Sequence, residues 1–399
     1  MPAPGRRRRA RPAPPRDARG PHGARRGPRR VTASTSAPAG WGVHGQTLAV
    51  AQLRADLAAD RLAHAYLLTG PEGVGKATLA RRLVQAIHCE APADGVDPCL
   101  ACAACRRVED GGAPDFEVVA IGGPCDEESH RDHAADNSTR IRICQARRLT
   151  RLSSLAPFHA PPHHAPRRIF VIDTADELQT EAGHALLKTI EEPPASSLLI
   201  LLATDPDELL PTIRSRCREI ALRPMPHADC AGALTESLGL DDAEASRLAA
   251  LARGRYGLAV RLHEDPSLIQ LRHTAAEDLA RLVAAGRNER FDYASRLAGQ
   301  WRRERPSVLG TLDVWRWRWH DALARAAGVD AAQPDEVAEL PAMPVAAAAE
   351  ALRATQRTRQ RLIENTNPQL AIEVLMLDLP HVAGAEHGEE ARAAAALAS

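Results

Sequence analysis

Lysine is nearly absent from this chain of 399 residues, where Lys76 and Lys188 stand against dozens of arginines. Long apolar runs are absent too. Nothing approaches the roughly 20 consecutive apolar residues that a bilayer-spanning helix needs, which excludes helical membrane insertion. The basic N-terminus is not followed by the apolar core of a signal peptide, so secretion is not expected and a cytoplasmic location is. The formal net charge is +0, which excludes a protein that grips nucleic acid by bulk charge alone. That charge is unevenly spread. Arg6 to Arg9, Arg11, Arg16, Arg19, Arg25, Arg26, Arg29 and Arg30 face one early acid, Asp17, among prolines and glycines. Such a leader, 1–40, cannot bury apolar surface and is expected to be disordered, which leaves the rest of the chain acidic. It is either a nucleic-acid-binding arm or an extension added by an upstream start assignment.

What is present is enough apolar sequence, 44% of residues, for real cores and two or three domains. Ordered sequence begins near Trp41 and opens with an amphipathic helix over 48–62. Continuous apolar runs at 65–69, 116–121, 169–173, 198–203 and 219–222 alternate with helical patterns at 77–88, 143–155 and 179–192. That alternation predicts an α/β domain with a parallel sheet covered on both faces, spanning 41–222. Strand signals then stop. Short Ala- and Leu-rich helices broken at Gly254 and Gly257 predict a small helical lid over 223–285. Helical periodicity continues through Trp301, Trp315 and Trp319, which predicts an all-α domain over 286–380. The tail, 381–399, is expected to fray.

The run Gly70-Pro71-Glu72-Gly73-Val74-Gly75-Lys76-Ala77 joins a strand to a helix and has the form of a phosphate-binding loop. Its glycines let backbone N–H groups turn inward, and its lysine reaches the β- and γ-phosphates of ATP or ADP. One part is missing: Ala77 offers a methyl group where a hydroxyl should hold Mg²⁺. Thr78 carries a hydroxyl one residue further around the helix, which is poor geometry for the metal. A glycine-rich turn with no ligand is the bland alternative. The run Ile169-Phe170-Val171-Ile172-Asp173 delivers an acid at a strand's C-terminal end, where Asp173 could hold Mg²⁺ through water. Thr174 follows where a glutamate would polarise the attacking water, and a threonine cannot act as a base near neutral pH. Asp176 is a stand-in whose offset fits a capping role better.

Cys89, Cys99, Cys102 and Cys105 cluster at intervals that match a closed tetrahedral site for structural Zn²⁺. Free thiols in a loop are the alternative, and His88 reads as a helix-end residue. Arg214 and Arg216, in Leu210-Pro211-Thr212-Ile213-Arg214-Ser215-Arg216-Cys217, are either solvated surface arginines or an arginine finger for a neighbouring subunit's γ-phosphate.

The glycine loop, the four-cysteine insertion, Ala185-Leu186-Leu187-Lys188-Thr189-Ile190-Glu191-Glu192-Pro193-Pro194 and Ser215-Arg216-Cys217 together resemble the bacterial clamp-loader AAA+ family of DNA polymerase III, over about 41–379. The resemblance implies a P-loop AAA+ domain, a lid and a C-terminal collar holding a hetero-oligomer. The implied partners are the other loader subunits, gamma or tau and delta, with the sliding clamp engaged indirectly and primed DNA bound by the complex. Within the family, motor subunits carry a hydroxyl after the lysine, an Asp-Glu pair and a lid arginine. Ala77, Asp173-Thr174 and Gly257 all depart from that, which resembles the delta prime branch. The resemblance makes Arg216 an arginine finger acting in trans, places Thr204 at the first sensor position, and leaves Lys188 facing DNA, a neighbour or solvent. The run Arg361-Leu362-Ile363-Glu364-Asn365-Thr366-Asn367-Pro368-Gln369-Leu370-Ala371-Ile372-Glu373 resembles that subunit's collar. An ATP-hydrolysing motor in which Thr78 and Asp176 substitute for the missing groups is a second reading. A standalone AAA+ factor for repair or helicase loading is a third, which the collar-like helices disfavour.

Overall fold

A computed structural model describes residues 39–127, 138–301, 303–329, 340–364 and 366–382. The expected disordered leader and tail lie almost wholly outside these residues, and Asn365 is outside them too. The N-terminal part runs α1 (Thr47–Ala58), β1 (Ala65–Thr69), α2 (Lys76–His88), α3 (Ala103–Glu109), β2 (Phe116–Val119), α4 (Ile143–Ser153), β3 (Arg168–Ile172), α5 (Thr180–Glu191), β4 (Ser197–Ala203), α6 (Pro211–Arg214) and β5 (Arg218–Ala221). The five strands form one sheet in the order β2-β3-β4-β1-β5, and every neighbouring pair is parallel.

Side chains alternate along each strand, and here both faces are dry. Leu198, Ile200 and Leu202 of β4 pack with Leu53 of α1 and Leu79 and Leu83 of α2. Leu199, Leu201 and Ala203 of the same strand pack on the other face with Leu149 of α4 and Leu186 and Ile190 of α5. This two-sided burial is why the strands read as unbroken apolar runs. The first helix ends earlier than its pattern, at Ala58, because Asp60 takes a left-handed turn with φ 47°.

The lid contains α7 (His227–Leu238), α8 (Asp242–Ala252), α9 (Tyr256–Glu264) and the start of α10 (Ser267–Ala284). Gly254, with φ +70°, does break the chain, because a Cβ there would lie 1.9 Å from the Met225 carbonyl oxygen. Gly257 does not break it, since it is the second residue of α9. The helix α10 serves two cores: Leu268 and Ile269 pack with the lid, whereas Ala275, Leu279 and Val283 pack with the C-terminal helices. Those are α11 (Arg287–Trp301), α12 (Arg305–Ala326), α13 (Val345–Ile363) and α14 (Pro368–Asp378). Trp315 and Trp319 are fully buried among them, and the Trp315 indole N–H donates to the Ala275 carbonyl at 2.8 Å. The N-terminal sheet domain reaches this bundle through Thr139, whose buried hydroxyl donates to the Ile363 carbonyl at 2.8 Å.

Candidate nucleotide, metal and arginine sites

The glycine loop curls because three of its residues adopt backbone conformations that side chains resist. Gly70, Gly73 and Gly75 have φ of 140°, 79° and 110°, and a Cβ on Gly70 would sit 2.4 Å from the Leu222 carbonyl oxygen. Lys76 begins α2 and turns back onto its own loop, donating to the Gly70 carbonyl and to the Pro71 carbonyl at 3.2 Å. Its ammonium also lies 3.5 Å from the Thr204 hydroxyl, so Lys76 and Thr204 share one site. Burial lowers the Lys76 pKa, against the pull of Asp176, Glu72 and Asp173. Ala77 and Thr78 are exposed on the first turn of α2.

Asp173 follows β3 directly and faces the same site. Burial raises its pKa, while the Thr174 backbone N–H and the Lys76 charge oppose the rise. Thr174 is left-handed at φ 56°, a conformation that costs a β-branched residue about 1–2 kcal/mol. Its hydroxyl donates to the Asp173 carbonyl at 2.6 Å. Asp176 is also engaged: its carboxylate accepts the backbone N–H groups of Thr204 at 2.8 Å and Asp205 at 3.1 Å. The aspartate therefore fastens the loop after β4 to the turn after β3 through Oδ2, while its Oδ1 is buried without a partner.

The lid closes directly on the loop. The Gly257 N–H donates to the Gly73 carbonyl at 2.9 Å, and a Cβ on Gly73 would lie 2.8 Å from the Leu258 Cβ. Arg261 of α9 pairs with Glu72 at 2.8 Å, and the His44 ring lies 4.2 Å from that of Tyr256. Sequence reasoning missed Glu72, Arg261 and the buried Arg255 as members of this region. An arginine one turn along a lid helix gives no local signal of which carboxylate it will meet.

Arg216 follows α6 on the surface. It pairs with Glu191 at the end of α5 at 3.0 Å and donates to the Thr212 carbonyl at 3.0 Å. Arg214 is tied instead to Asp207 and to Glu219. Lys188 is exposed on α5.

The four cysteines do converge: the sulfurs of Cys89, Cys99, Cys102 and Cys105 all lie within 4.8 Å of one another. Tetrahedral Zn²⁺ with ~2.3 Å bonds needs sulfurs about 3.8 Å apart, so the donor set fits the ion. Three backbone N–H groups point at these sulfurs: Cys99 to Cys89 at 3.4 Å, Cys102 to Cys99 at 3.3 Å and Cys105 to Cys102 at 3.4 Å. Such bonds stabilise thiolates and orient them as ligands. Four protein ligands close a coordination sphere, which is the arrangement of a structural site.

Residues 45–226 match the family described as DNA polymerase III, delta subunit. The match covers less than half of the chain and falls on the sheet domain. It is 34% identical over 203 residues to the delta prime subunit of Pseudomonas aeruginosa, covering 50% of this chain and 56% of that protein. It is 30% identical over 166 residues to the Bacillus subtilis delta prime subunit, covering 42% and 44%. The gamma/tau subunit of Mycobacterium bovis is 33% identical over 189 residues, covering 46% of this chain and 28% of that protein. The chain thus spans between about a quarter and just over half of these relatives. Delta prime and gamma/tau relatives match at similar identity. Among the described residues no helix is long and apolar enough to cross a membrane.

Proposed function

We propose that this chain is the delta prime type subunit of the clamp loader, a stator that does not hydrolyse ATP itself. The observation that carries the reading is the hydrogen bond from Gly257, which the family resemblance sets at the lid's arginine-sensor position, to the glycine loop. An arginine there would meet the Gly73 carbonyl before reaching a phosphate. Ala77 and Thr174 remove the metal hydroxyl and the general base from the same site, so three parts of a hydrolytic machine are lost together. The loop then holds ATP or ADP as a structural ligand, and the cysteine module holds Zn²⁺.

In this reading the catalytic contribution passes to Arg216, offered in trans to the ATP of a neighbouring gamma or tau subunit. The C-terminal helices join the other loader subunits, including delta, and the assembly acts on the sliding clamp and primed DNA in the cytoplasm. The motor reading would need Asp176 to act through Oδ1, since Oδ2 is held by the Thr204 and Asp205 N–H groups. Steady-state ATP hydrolysis by the purified chain tests the choice. Turnover indistinguishable from the no-protein blank is expected, and turnover at motor-subunit rates, about 1 s⁻¹ or faster, would reject the stator role.

A further inference from the structure

Beside the Lys76 site, and reaching Thr204, the glycine loop, the lid and the C-terminal helices line a cleft of about 230 Å³. Pro71 and Glu72 line it from the loop, and Gly73, Gly75, Lys76, Ala77 and Thr78 do not. Five arginines line it, Arg255, Arg261, Arg272, Arg316 and Arg359, against two carboxylates, Glu72 and Asp313. Those acids are already engaged, Glu72 by Arg261 and Asp313 by both Arg316 and Arg359. The surplus is positive charge inside a partly apolar wall formed by Leu258, Leu262 and Val314.

Arg255 carries the argument. It is 4% exposed, its Nε–H donates to the Ala252 carbonyl at 2.8 Å, and its guanidinium lies over the Trp317 ring at 4.8 Å. Its Nη2 is buried with no hydrogen-bond partner, as is the Nε of Arg316 in the same cleft. A buried guanidinium N–H left unpaired costs about 1–3 kcal/mol or more, so an acceptor in the cleft would be favoured. Water is a poor answer to several converging cations. Burial, then repulsion from Arg272 and Arg253, holds the Arg255 pKa down to about 10, and an anion would relieve both.

We propose that this cleft binds the diphosphate group of a small anion, held by its arginines beside the phosphate cradle of the glycine loop rather than by Lys76. Planar guanidinium forks suit phosphate oxygens. A ligand here would bridge Glu72's loop, α9 and α10 of the lid, and α12 and α13, fixing the lid against the C-terminal domain. The proposal does not depend on whether the glycine loop hydrolyses ATP. The diphosphate could arrive as inorganic pyrophosphate or as part of a nucleotide.

The test is calorimetric titration of the full chain with sodium pyrophosphate and, separately, with ADP, at constant ionic strength. Three proteins are compared: wild type, Lys76→Ala, and Arg255→Met, which keeps a stem against Trp317. Pyrophosphate is expected to bind wild type and Lys76→Ala alike, and Arg255→Met at least about tenfold more weakly, the loss expected for one charge-assisted hydrogen bond. If Arg255→Met fails to fold, Arg272→Gln serves as the second variant with the same expectation. ADP binding that survives Lys76→Ala and fails in the arginine variant identifies a nucleotide source. ADP binding that needs Lys76 alone, beside intact pyrophosphate binding, identifies the inorganic anion. Absence of saturable pyrophosphate binding, binding unchanged in the arginine variants, or binding abolished by Lys76→Ala would each overturn the proposal.

Discussion

The backbone N–H of Gly257 donates to the carbonyl oxygen of Gly73 at 2.9 Å, so the first turn of the lid helix α9 rests on the glycine loop itself. A Cβ at position 257 would meet that same oxygen at 2.9 Å. Closure of the lid at this distance is available to glycine and to no other residue without a shift.

The contact gives a direct prediction. Gly257→Ala forces backbone against backbone and should destabilise the chain by about 1–2 kcal/mol, in the range of overpacking. Gly232→Ala in α7 is the control, since a Cβ there meets nothing within 4 Å. That change should be neutral or stabilise by up to about 1 kcal/mol. Urea denaturation of the two variants measures the difference, and equal midpoints would mean that the lid does not bear on the loop.

The same junction should respond to pH through His44, packed against Tyr256. Burial lowers its pKa below 6.5, with Glu236 opposing. The folded state therefore binds the proton less readily than the unfolded chain does. The sign follows by linkage: stability is full above pH 6.5 and falls as pH drops from there through the folded-state pKa. Replacing His44 with Phe, which keeps a ring against Tyr256, should flatten that part of the stability curve. A variant whose curve parallels the wild type would assign the pH dependence elsewhere.

Arg216 is half-exposed, and its partner Glu191 is likewise half-exposed. A surface ion pair of this kind is worth about 0–1 kcal/mol, so the guanidinium can leave Glu191 for a phosphate at little cost. Arg216→Ala should reduce ATP hydrolysis by the reconstituted loader by roughly 10²- to 10³-fold at the neighbouring site, while the complex still elutes as one species. Arg214→Ala, which removes bonds to Asp207 and Glu219 only, should leave the rate within about twofold, since these are exposed pairs.

The cysteine module should hold one Zn²⁺ per chain by elemental analysis of protein prepared without chelator. Cys102→Ser removes a ligand from the closed set and an acceptor for the Cys105 N–H. It should lose the metal and lower the unfolding midpoint, because metal-binding free energy is folding free energy where no site exists in the unfolded chain. A chelator that strips zinc from the wild type without moving its midpoint would contradict a structural role.

Much of this was legible from residues in series. The strands of the parallel sheet read as apolar runs because both faces are covered, and Cys99-x-x-Cys102-x-x-Cys105 reads as a metal module because three of its ligands are local. Gly257 was mistaken for a helix breaker. Intrinsic propensity places glycine at helix ends, but here tertiary contact with Gly73 decides, and glycine is required inside the helix. The Arg255 cleft left no trace in sequence because its walls come from five separate segments. Asp176 does not cap the turn that follows it, as its offset suggests; it accepts from Thr204 and Asp205 after the neighbouring strand β4.

Arg290 and Arg255 show two fates of a buried arginine. Arg290 of α11 is 7% exposed and uses all of its donors. Its Nε donates to Leu282 at 2.9 Å, one terminal nitrogen to Met376 at 3.1 Å and Leu379 at 2.9 Å, and the other to Val283 at 3.1 Å and Pro380 at 2.9 Å. All five acceptors are carbonyls at the C-terminal ends of α10 and α14, where a cation is favoured. Arg290→Met should therefore cost about 3 kcal/mol or more, since the Met376, Leu379 and Pro380 carbonyls lose their donor, whereas Leu282 and Val283 keep the N–H groups of Ala285 and Val382. Lysine has three donors on a single nitrogen and cannot span two helix ends. Arg290→Lys should recover less than half of that loss in urea denaturation. Full recovery would mean that charge alone, rather than the guanidinium fork, holds α14 to α10.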